Sequence, residues 1–311
     1  LQNRPLLAEN REKGGYEFYN LKSVGQGSSI NINHTMKDPV LREWFGKKDF
    51  RIALSIAINR EEIIDIVYLG AGVPWQFGQS EESPWYIEQY AKQYMDYDPA
   101  KANALLDKIG LNKRDSNNFR LFPNGKRVFF TLDIIATYAP EWPDLAELLK
   151  KNWADVGVDM KINTLERSIM YERNSSNEHQ LNIWEAGTTS NPMLAPEYLV
   201  PISSIGARFG PAWFDWYSSN GQRGEEPPAY VKQKMELYEE LKRTADDAKR
   251  IEIFKKMQQI DADEFPYFGI VNQSDRLGIK KTNLRNVPAS MPREWLYPTP
   301  APSLPQQYYW E

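Results

Sequence analysis

A predicted strand over residues 180–184 is followed by hydroxyl and amide side chains, which are groups suited to binding a polar ligand. They are Thr188, Thr189, Ser190 and Asn191. An amide can form paired hydrogen bonds with hydroxyls or amides, and hydroxyls both donate and accept. Trp184, Trp213 and Trp216 offer flat rings that can cover the C–H faces of a sugar. The pattern indicates a polar-ligand site, with core or loop packing as the alternative for the tryptophans.

Arg208 is a second candidate because it lies in a loop between Gly206 and Gly210. A guanidinium can hold a carboxylate through two parallel hydrogen bonds, which would suit a peptide ligand. The polar, glycine-containing surroundings otherwise predict a surface arginine.

Catalytic arrangements are not evident. The chain has no Cys and only two His, His34 and His179, so a thiolate or multi-histidine metal site is excluded. The acidic pairs 225–226 and 246–247 are adjacent in sequence, whereas the acid and base of a glycosidase come from separate elements about 5 to 10 Å apart. Nucleophile-elbow, phosphate-loop and dinucleotide motifs are missing. We expect a binding module with no cofactor; a carbohydrate-active enzyme domain and a structural protein–protein interaction domain are the alternatives.

Composition narrows the class of partner. The 311 residues are 41% hydrophobic and 26% charged, and no apolar run approaches the roughly 20 residues of a membrane helix. The net charge is −4, and Lys/Arg runs are short, which argues against nucleic acid as a partner.

Strands alternate with helices, which predicts an α/β fold. The clearest unit is a strand over 128–135, a helix over 142–156 and a strand over 158–163, a size that favours a parallel pair with a right-handed crossover. The same periodicity predicts further elements. They are strands at 16–20, 28–33, 180–184 and 267–271, helices at 99–109, 169–173, 229–244 and 248–263, a hairpin joining 119–121 to 128–135, and an irregular tail over 287–310 held by its aromatics.

Residues 50–68 predict a helix, a short turn and a second helix. Asn59 is the expected N-cap, and Glu62 is its capping-box partner three residues on. The nearby Arg51 and Arg60 could serve a hinge or a ligand, but we expect surface salt bridges.

Three ordered motifs resemble a known family. The first is DFRIALSIAINREEII at 49–64, the second is YDPAKA at 97–102, and the third is NWADVGV at 152–158. They resemble the signature segments of the peptide/nickel type of bacterial solute-binding proteins, extracellular solute-binding family 5. The likeness extends more loosely from Gly15 to about Val271.

The resemblance implies the carboxy-terminal half of a two-lobed clamshell, a periplasmic-binding-protein-like (type II) lobe with a mixed sheet flanked by helices. Residues 1–15 would be the tail of a preceding lobe, 16–266 the ligand-binding lobe, and 267–311 a return segment. The first residues read as mid-protein sequence, so we expect any export signal to lie upstream.

The resemblance also implies ligand positions. In peptide-binding relatives a Gly at the strand end is followed four positions later by an Asp that pairs with the ligand ammonium; here these positions are Gly187 and Asn191. A neutral amide cannot supply that charge, so both an oligopeptide and an oligosaccharide remain possible ligands. The loop from Trp75 to Tyr86 corresponds to a cleft-edge segment.

The family likeness further implies an extracytoplasmic role. The protein would capture its ligand in the periplasm, or as a cell-surface lipoprotein, and deliver it to the membrane permease subunits of an ABC importer. Binding would shift the two lobes toward a closed form.

Overall fold

The computed structural model describes residues 3–23, 27–185, 189–294 and 300–311. Its helices are α1 (Arg4–Glu9), α2 (Arg11–Gly14), α3 (Pro39–Gly46), α4 (Lys48–Ile56), α5 (Arg60–Val67), α6 (Glu88–Lys92), α7 (Pro99–Lys108), α8 (Trp142–Asp155), α9 (Arg167–Ser175), α10 (Pro211–Ser218), α11 (Ala229–Arg243) and α12 (Asp247–Glu264). Its strands are β1 (Tyr16–Ser23), β2 (Gly27–Ile32), β3 (Gly72–Pro74), β4 (Phe129–Ile134), β5 (Asp159–Thr164), β6 (Leu181–Glu185), β7 (Phe268–Gln273), β8 (Arg276–Lys281), β9 (Leu284–Arg285), β10 (Ser290–Arg293) and β11 (Tyr309–Trp310). Among the described residues, no helix combines the length and apolar character that crossing a membrane requires.

A six-stranded mixed sheet forms the centre, in the order β3-β7-β2-β6-β4-β5. Strand β4 pairs in parallel with both β5 and β6, whereas β2 pairs antiparallel with β6 and β7. The predicted α/β class and the parallel β4–α8–β5 unit are therefore confirmed. Strands buried on both faces need apolar cover from helices, which is why this sheet is flanked by them.

A smaller sheet with the order β10-β1-β8 contains the first strand of the chain. The strands at 16–20 and 28–33 are confirmed as strands, but β1 and β2 belong to different sheets. Every described residue of β2 is buried, whereas none of β1 is fully buried. The alternation of polar and apolar residues fits both strands and does not specify their partners.

The expected hairpin at 119–135 is confirmed only close to its turn. Leu121 and Arg127 form an antiparallel bridge, and the backbone amides of Phe122 and Val128 donate to the carbonyls of Lys126 and Arg120 at 2.7 and 2.8 Å. The pairing does not extend along β4, because both edges of β4 are paired with β5 and β6.

The tail is also more regular than expected. Strand β10 pairs with β1, and β11 pairs with β9, so backbone hydrogen bonds hold the described part of the tail. Two of the described aromatic side chains at its end do not hold it, since Tyr309 is 59% exposed and Trp310 is 65% exposed.

Two apolar clusters make up the core. The larger covers the central sheet and includes Ile30, Phe130 and Trp153. The smaller lies around α11 and α12 and includes Phe209 and Phe254. Each cluster buries large aromatic and branched side chains, which supply most of the favourable free energy of folding.

Arg51 and Arg60 are buried, so the expectation of surface salt bridges is wrong. The Arg60 guanidinium donates to the carbonyl oxygens of Gly269 at 2.8 Å and Ser55 at 2.9 Å. Arg51 donates to the carbonyls of Phe265 and Glu264, each at 2.7 Å. Arginine has five N–H donors, and here they satisfy buried backbone acceptors where the strand β7 meets the helices.

The predicted N-cap of α5 is confirmed, but its capping box is not. Asn59 Oδ1 accepts from the Glu62 amide at 3.1 Å. The backbone N–H of Asn59 donates to Asn152 Oδ1 at 2.9 Å, while the Glu62 carboxylate pairs with Lys151 at 2.8 Å. A tertiary contact with α8 therefore takes the place of the reciprocal local bond.

One ion pair is fully buried between α11 and α12. Lys234 Nζ lies 2.5 Å from Asp261 Oδ1, and the Tyr267 hydroxyl also donates to the Asp261 carboxylate. Burial lowers the pKa of Lys234, and the Asp261 charge opposes that shift.

We expect Asp261→Ala to lower the free energy of unfolding by about 3 to 5 kcal/mol, because it leaves a buried ammonium unpaired. Urea unfolding followed by circular dichroism measures the change. Glu226→Ala is the matched control, because it breaks the exposed ion pair between Glu226 and Lys232 at the start of α11. It should lower the free energy of unfolding much less. Equal effects of the two changes would contradict a stabilising role for the buried pair.

Both histidines are buried and bonded to backbone oxygens. His34 Nε2 lies 2.7 Å from the Pro266 carbonyl oxygen, and His179 Nε2 lies 2.7 Å from the carbonyl oxygen of residue 208. Burial lowers the pKa of His34 to about 3 and that of His179 to about 4. The folded protein therefore keeps both rings neutral at pH values where the unfolded chain protonates them.

Because the unfolded chain binds more protons below pH 6.5, stability should fall as the pH drops from 6.5 toward 4, by up to about 1.4 kcal/mol per pH unit for each histidine. We expect His179→Gln to flatten this slope relative to the wild type. Urea midpoints measured from pH 4.5 to 7.5 provide the test. Parallel curves for the two proteins would show that His179 does not contribute.

Candidate ligand-binding groove

Three parallel strands direct their carboxyl ends to one edge of the central sheet. The chain runs from β4 to Tyr138, from β5 to Arg167, and along β6 to Glu185. In open α/β sheets the crevice beyond the carboxyl ends of the strands is the usual ligand site. The side chains that leave this edge are therefore the first candidates for binding.

Two adjoining cavities lie at this edge. The aromatic cavity has a volume of about 420 Å³ and is lined by Tyr138, Arg167, Tyr171, Trp184, Glu185, Glu197, Tyr198, Ser203, Ile205, Gly206 and Arg208. The polar cavity has a volume of about 220 Å³ and is lined by Gly27, Ser28, Tyr138, Ala139, Pro140, Glu141, Trp142, Glu185, Gln273, Arg276 and Arg293. Tyr138 and Glu185 line both, and we call the two cavities together the groove.

Trp184 lies in the wall of the aromatic cavity and is 4% exposed. Its ring stacks on Tyr138 at a centroid distance of 5.0 Å, and the Arg208 guanidinium lies 4.1 Å from its centroid. Its indole N–H donates to the Tyr198 hydroxyl at 3.3 Å. The ring therefore already has stacking partners, and only its remaining surface could contact a ligand.

Arg208 is 4% exposed, so the expectation of a surface arginine is wrong. Gly206 packs against Glu197 and Gly210 against Trp213 too closely for a side chain at either position. The Arg208 guanidinium lies over Trp184 and, at 5.8 Å, near Tyr198. Burial lowers the pKa of Arg208, although nearby Tyr198 and Glu197 oppose the shift.

The polar cavity contains charged groups from distant parts of the chain. Arg276 at the start of β8 lies 3.2 Å from the Glu141 carboxylate and donates to Gln273 at 2.5 Å. Burial and the charge of Arg276 lower the pKa of Arg293. Burial and the Glu185 carboxylate raise the pKa of Tyr138. These contacts join the central sheet to β8 and β10 of the smaller sheet.

Three tryptophans predicted as ligand contacts do not line either cavity. Trp75 donates to the Gly78 carbonyl at 3.2 Å and is 5% exposed. Trp213 stacks on His34, and Trp216 packs against the smaller apolar cluster. Their rings therefore contribute to packing, which was the alternative role that their surroundings left open.

Two predicted positions after β6, Gly187 and Thr188, lie outside the described residues. Thr189 is buried, and its hydroxyl has no hydrogen-bond partner among the residues that the structure describes. Asn191 Oδ1 accepts from the Met193 amide at 3.2 Å and so caps the short turn Pro192–Leu194. In this arrangement the Asn191 carboxamide serves the backbone and does not line the groove.

Several groove residues were missed by the sequence analysis. They are Tyr138, Arg167, Tyr171, Glu185, Glu197 and Tyr198. Their positions in the sequence could have indicated three of them, since Tyr138, Arg167 and Glu185 follow or end the three predicted parallel strands. The rest come from helices and turns that only the folded chain brings to this edge.

Among the described residues, no group of His, Asp or Glu side chains is arranged to hold a metal ion. The groove instead offers aromatic rings, guanidinium groups, carboxylates and amides. Such a set can bind a polar organic molecule by hydrogen bonds and stacking.

Residues 3–208 match the sequence profile of the bacterial extracellular solute-binding proteins, family 5 Middle. Di/tripeptide-binding protein 1 of Pseudomonas aeruginosa (strain UCBPP-PA14) is 27% identical over 241 residues, which are 76% of this chain and 39% of that protein. The oligopeptide-binding protein OppA superposes with a TM-score of 0.83 at 31% identity, covering 100% of this chain and 51% of that one. MelB of Agrobacterium fabrum, solved with stachyose, gives a TM-score of 0.72 at 19% identity, covering 93% of this chain and 44% of that one.

The chain thus spans well under two thirds of the length of each of these proteins. The superpositions confirm the fold expected from the motifs, a type II periplasmic-binding-protein lobe. The profile match covers about two thirds of the chain and includes all three motifs at 49–64, 97–102 and 152–158. The chain therefore belongs to the bacterial extracellular solute-binding proteins of family 5.

Proposed function

We propose that this chain is the carboxy-terminal lobe of an extracytoplasmic solute-binding protein. The whole protein would capture an oligopeptide or an oligosaccharide and deliver it to the membrane permease of an ABC importer. The observation that carries the proposal is the groove at the carboxyl edge of β4, β5 and β6 in a chain of this family. One relative is named for di- and tripeptides and another was solved with stachyose, so both ligand classes are candidates.

We propose that the protein binds its ligand and catalyses no reaction. Family 5 members are solute-binding proteins. Glu141 already pairs with Arg276, and the Glu185 carboxylate lies near enough to Tyr138 to raise the pKa of its hydroxyl. Carboxylates engaged in this way are suited to holding the groove in shape and to receiving polar ligand groups.

Ligand contacts are proposed for the side chains that line the groove. From the positions predicted by sequence these are Trp184 and Arg208, and Tyr138 and Glu185 join them. Four predicted contacts remain predictions. Gly187 and Thr188 lie outside the described residues, and Thr189 and Asn191 do not line the groove.

The domain boundaries at 1–15, 16–266 and 267–311 also remain a proposal. The proposed boundary at 267 falls just before β7, which pairs within the central sheet, whereas β8 pairs with β1 of the smaller sheet. Side-chain contacts also join the regions around the two sheets. Arg276 bonds Glu141, and Glu294 accepts from the Ser190 amide at 2.8 Å and hydroxyl at 2.6 Å.

Thermal denaturation of the native polypeptide that carries these residues tests which class of ligand the protein binds. We expect either a pool of di- and tripeptides or a pool of neutral oligosaccharides to raise the Tm; a ligand at 100 times its Kd adds about 2.7 kcal/mol of stability. Tyr138→Ala should weaken binding at least tenfold, because Tyr138 lines both cavities.

Tyr97→Ala is the control for this experiment, since Tyr97 is 45% exposed and does not line the groove. It should bind like the wild type. An unchanged Tm with both pools would rule out the receptor proposal, and equal binding by the two variants would move the site away from the groove.

Ligand-driven closure is a further expectation of the proposal. Small-angle X-ray scattering of the native polypeptide should show a smaller radius of gyration with the pool that raises its Tm, because binding favours the closed form of a two-lobed protein. The other pool is the control. Identical dimensions at saturating ligand would contradict closure.

A further inference from the structure

Arg208 carries a buried charge that has no counter-ion within the described parts of the chain. Among the residues that the structure describes, its guanidinium makes one hydrogen bond, a 3.5 Å contact with the Gly206 carbonyl, and its Nε–H has no acceptor. Its other contacts are with the rings of Trp184 and Tyr198. A buried guanidinium with so few acceptors is costly, because it has given up its hydration.

The other buried cations of the described residues all have acceptors. Arg60 donates to the carbonyls of Gly269 and Ser55, and Lys234 pairs with Asp261. Arg51 donates to backbone carbonyls, and Arg120 donates to the Val156 carbonyl and pairs with Asp107. Arg208 differs from these four in that it lines a cavity. The acceptors that it lacks therefore have room to arrive from outside the chain.

The surroundings of Arg208 fix its orientation. Trp184, 4.1 Å away, supports the guanidinium as a platform, and Trp184 is itself held by Tyr138 and by its bond to Tyr198. A supported planar fork loses little freedom when it binds a planar carboxylate through two hydrogen bonds.

Carboxylates are already present in the cavity, but neither pairs with Arg208. Within the described parts of the chain Glu197 and Glu185 make no ion pair with Arg208. Burial raises the pKa of Glu197, and the charge of Arg208 opposes that rise only in part. The Glu185 carboxylate raises the pKa of Tyr138. With Arg167 and Arg208 present as well, the cavity has both signs of charge, which suits a ligand that carries a negative and a positive group.

We propose that Arg208 binds a carboxylate of the solute through paired hydrogen bonds, so that the groove selects carboxylate-bearing ligands over neutral ones. This inference rests on the proposed function and narrows its ligand class. A free peptide carboxyl terminus and a uronic acid both present this group, and they are distinguished by the probes below.

Isothermal titration calorimetry on the native polypeptide uses four probes: trialanine, trialanine amide, digalacturonate and stachyose. We expect at least one acid to bind, and its neutral counterpart to bind at least tenfold more weakly. Arg208→Met should abolish this preference. Binding of trialanine identifies the peptide carboxylate as the source, and binding of digalacturonate identifies the uronate.

A second measurement separates a ligand role from a structural one. Without ligand, Arg208→Met should leave the Tm unchanged or raise it, because it removes a buried charge that lacks acceptors. Arg60→Met is the matched control and should lower the Tm, because it leaves several buried carbonyls unpaired.

Equal affinity for acid and neutral probes, or a preference that survives Arg208→Met, would overturn the inference. So would a loss of Tm in Arg208→Met as large as that in Arg60→Met. Stachyose binding without binding of either acid would keep the proposed function and reject the role of Arg208. If none of the four probes and neither of the mixed pools binds, both the proposed function and the role of Arg208 are rejected.

Discussion

Strand β2 is the constraint on which the rest of the structure depends. It pairs with β6 on one side and β7 on the other, and all six of its residues are buried. A strand in this position needs cover on both faces, so helices must pack against each side. Its pairing with β6 also sets the direction of the parallel strands. Their carboxyl ends consequently meet at one edge, and that edge is where the groove forms.

Among the described residues, the buried cations other than Arg208 have hydrogen-bond acceptors or a counter-ion. Arg51, Arg60 and Lys234 are buried, and each is met by carbonyl oxygens or a carboxylate. These bonds fasten β7 and α12 to the elements around them. Arg208 is buried without comparable partners and lies at a cavity. A fold that satisfies its other buried cations and leaves this one open has the properties of a preorganised binding site.

Residues of the groove also contact residues of, or next to, both sheets. Arg276 of the smaller sheet pairs with Glu141 in the polar cavity, and Glu294 holds Ser190 in the loop that follows β6. A solute in the groove would thus touch residues whose neighbours belong to both sheets. Asn191, meanwhile, caps a turn. Its place in the motif of the peptide-binding relatives is therefore a weaker guide to the ligand than the charges in the cavity.

The sequence by itself determined most strands of the central sheet, the β4–α8–β5 unit, the Asn59 cap and the family, because these depend on local periodicity and short motifs. It also indicated Trp184 and Arg208 as ligand candidates. Only the tertiary structure decided that β1 and β2 lie in separate sheets and that Arg60 and Arg208 are buried. Strand partners and burial depend on contacts between residues far apart in the chain. An arginine in a polar segment therefore looks the same in sequence whether it meets water, a carbonyl or a cavity.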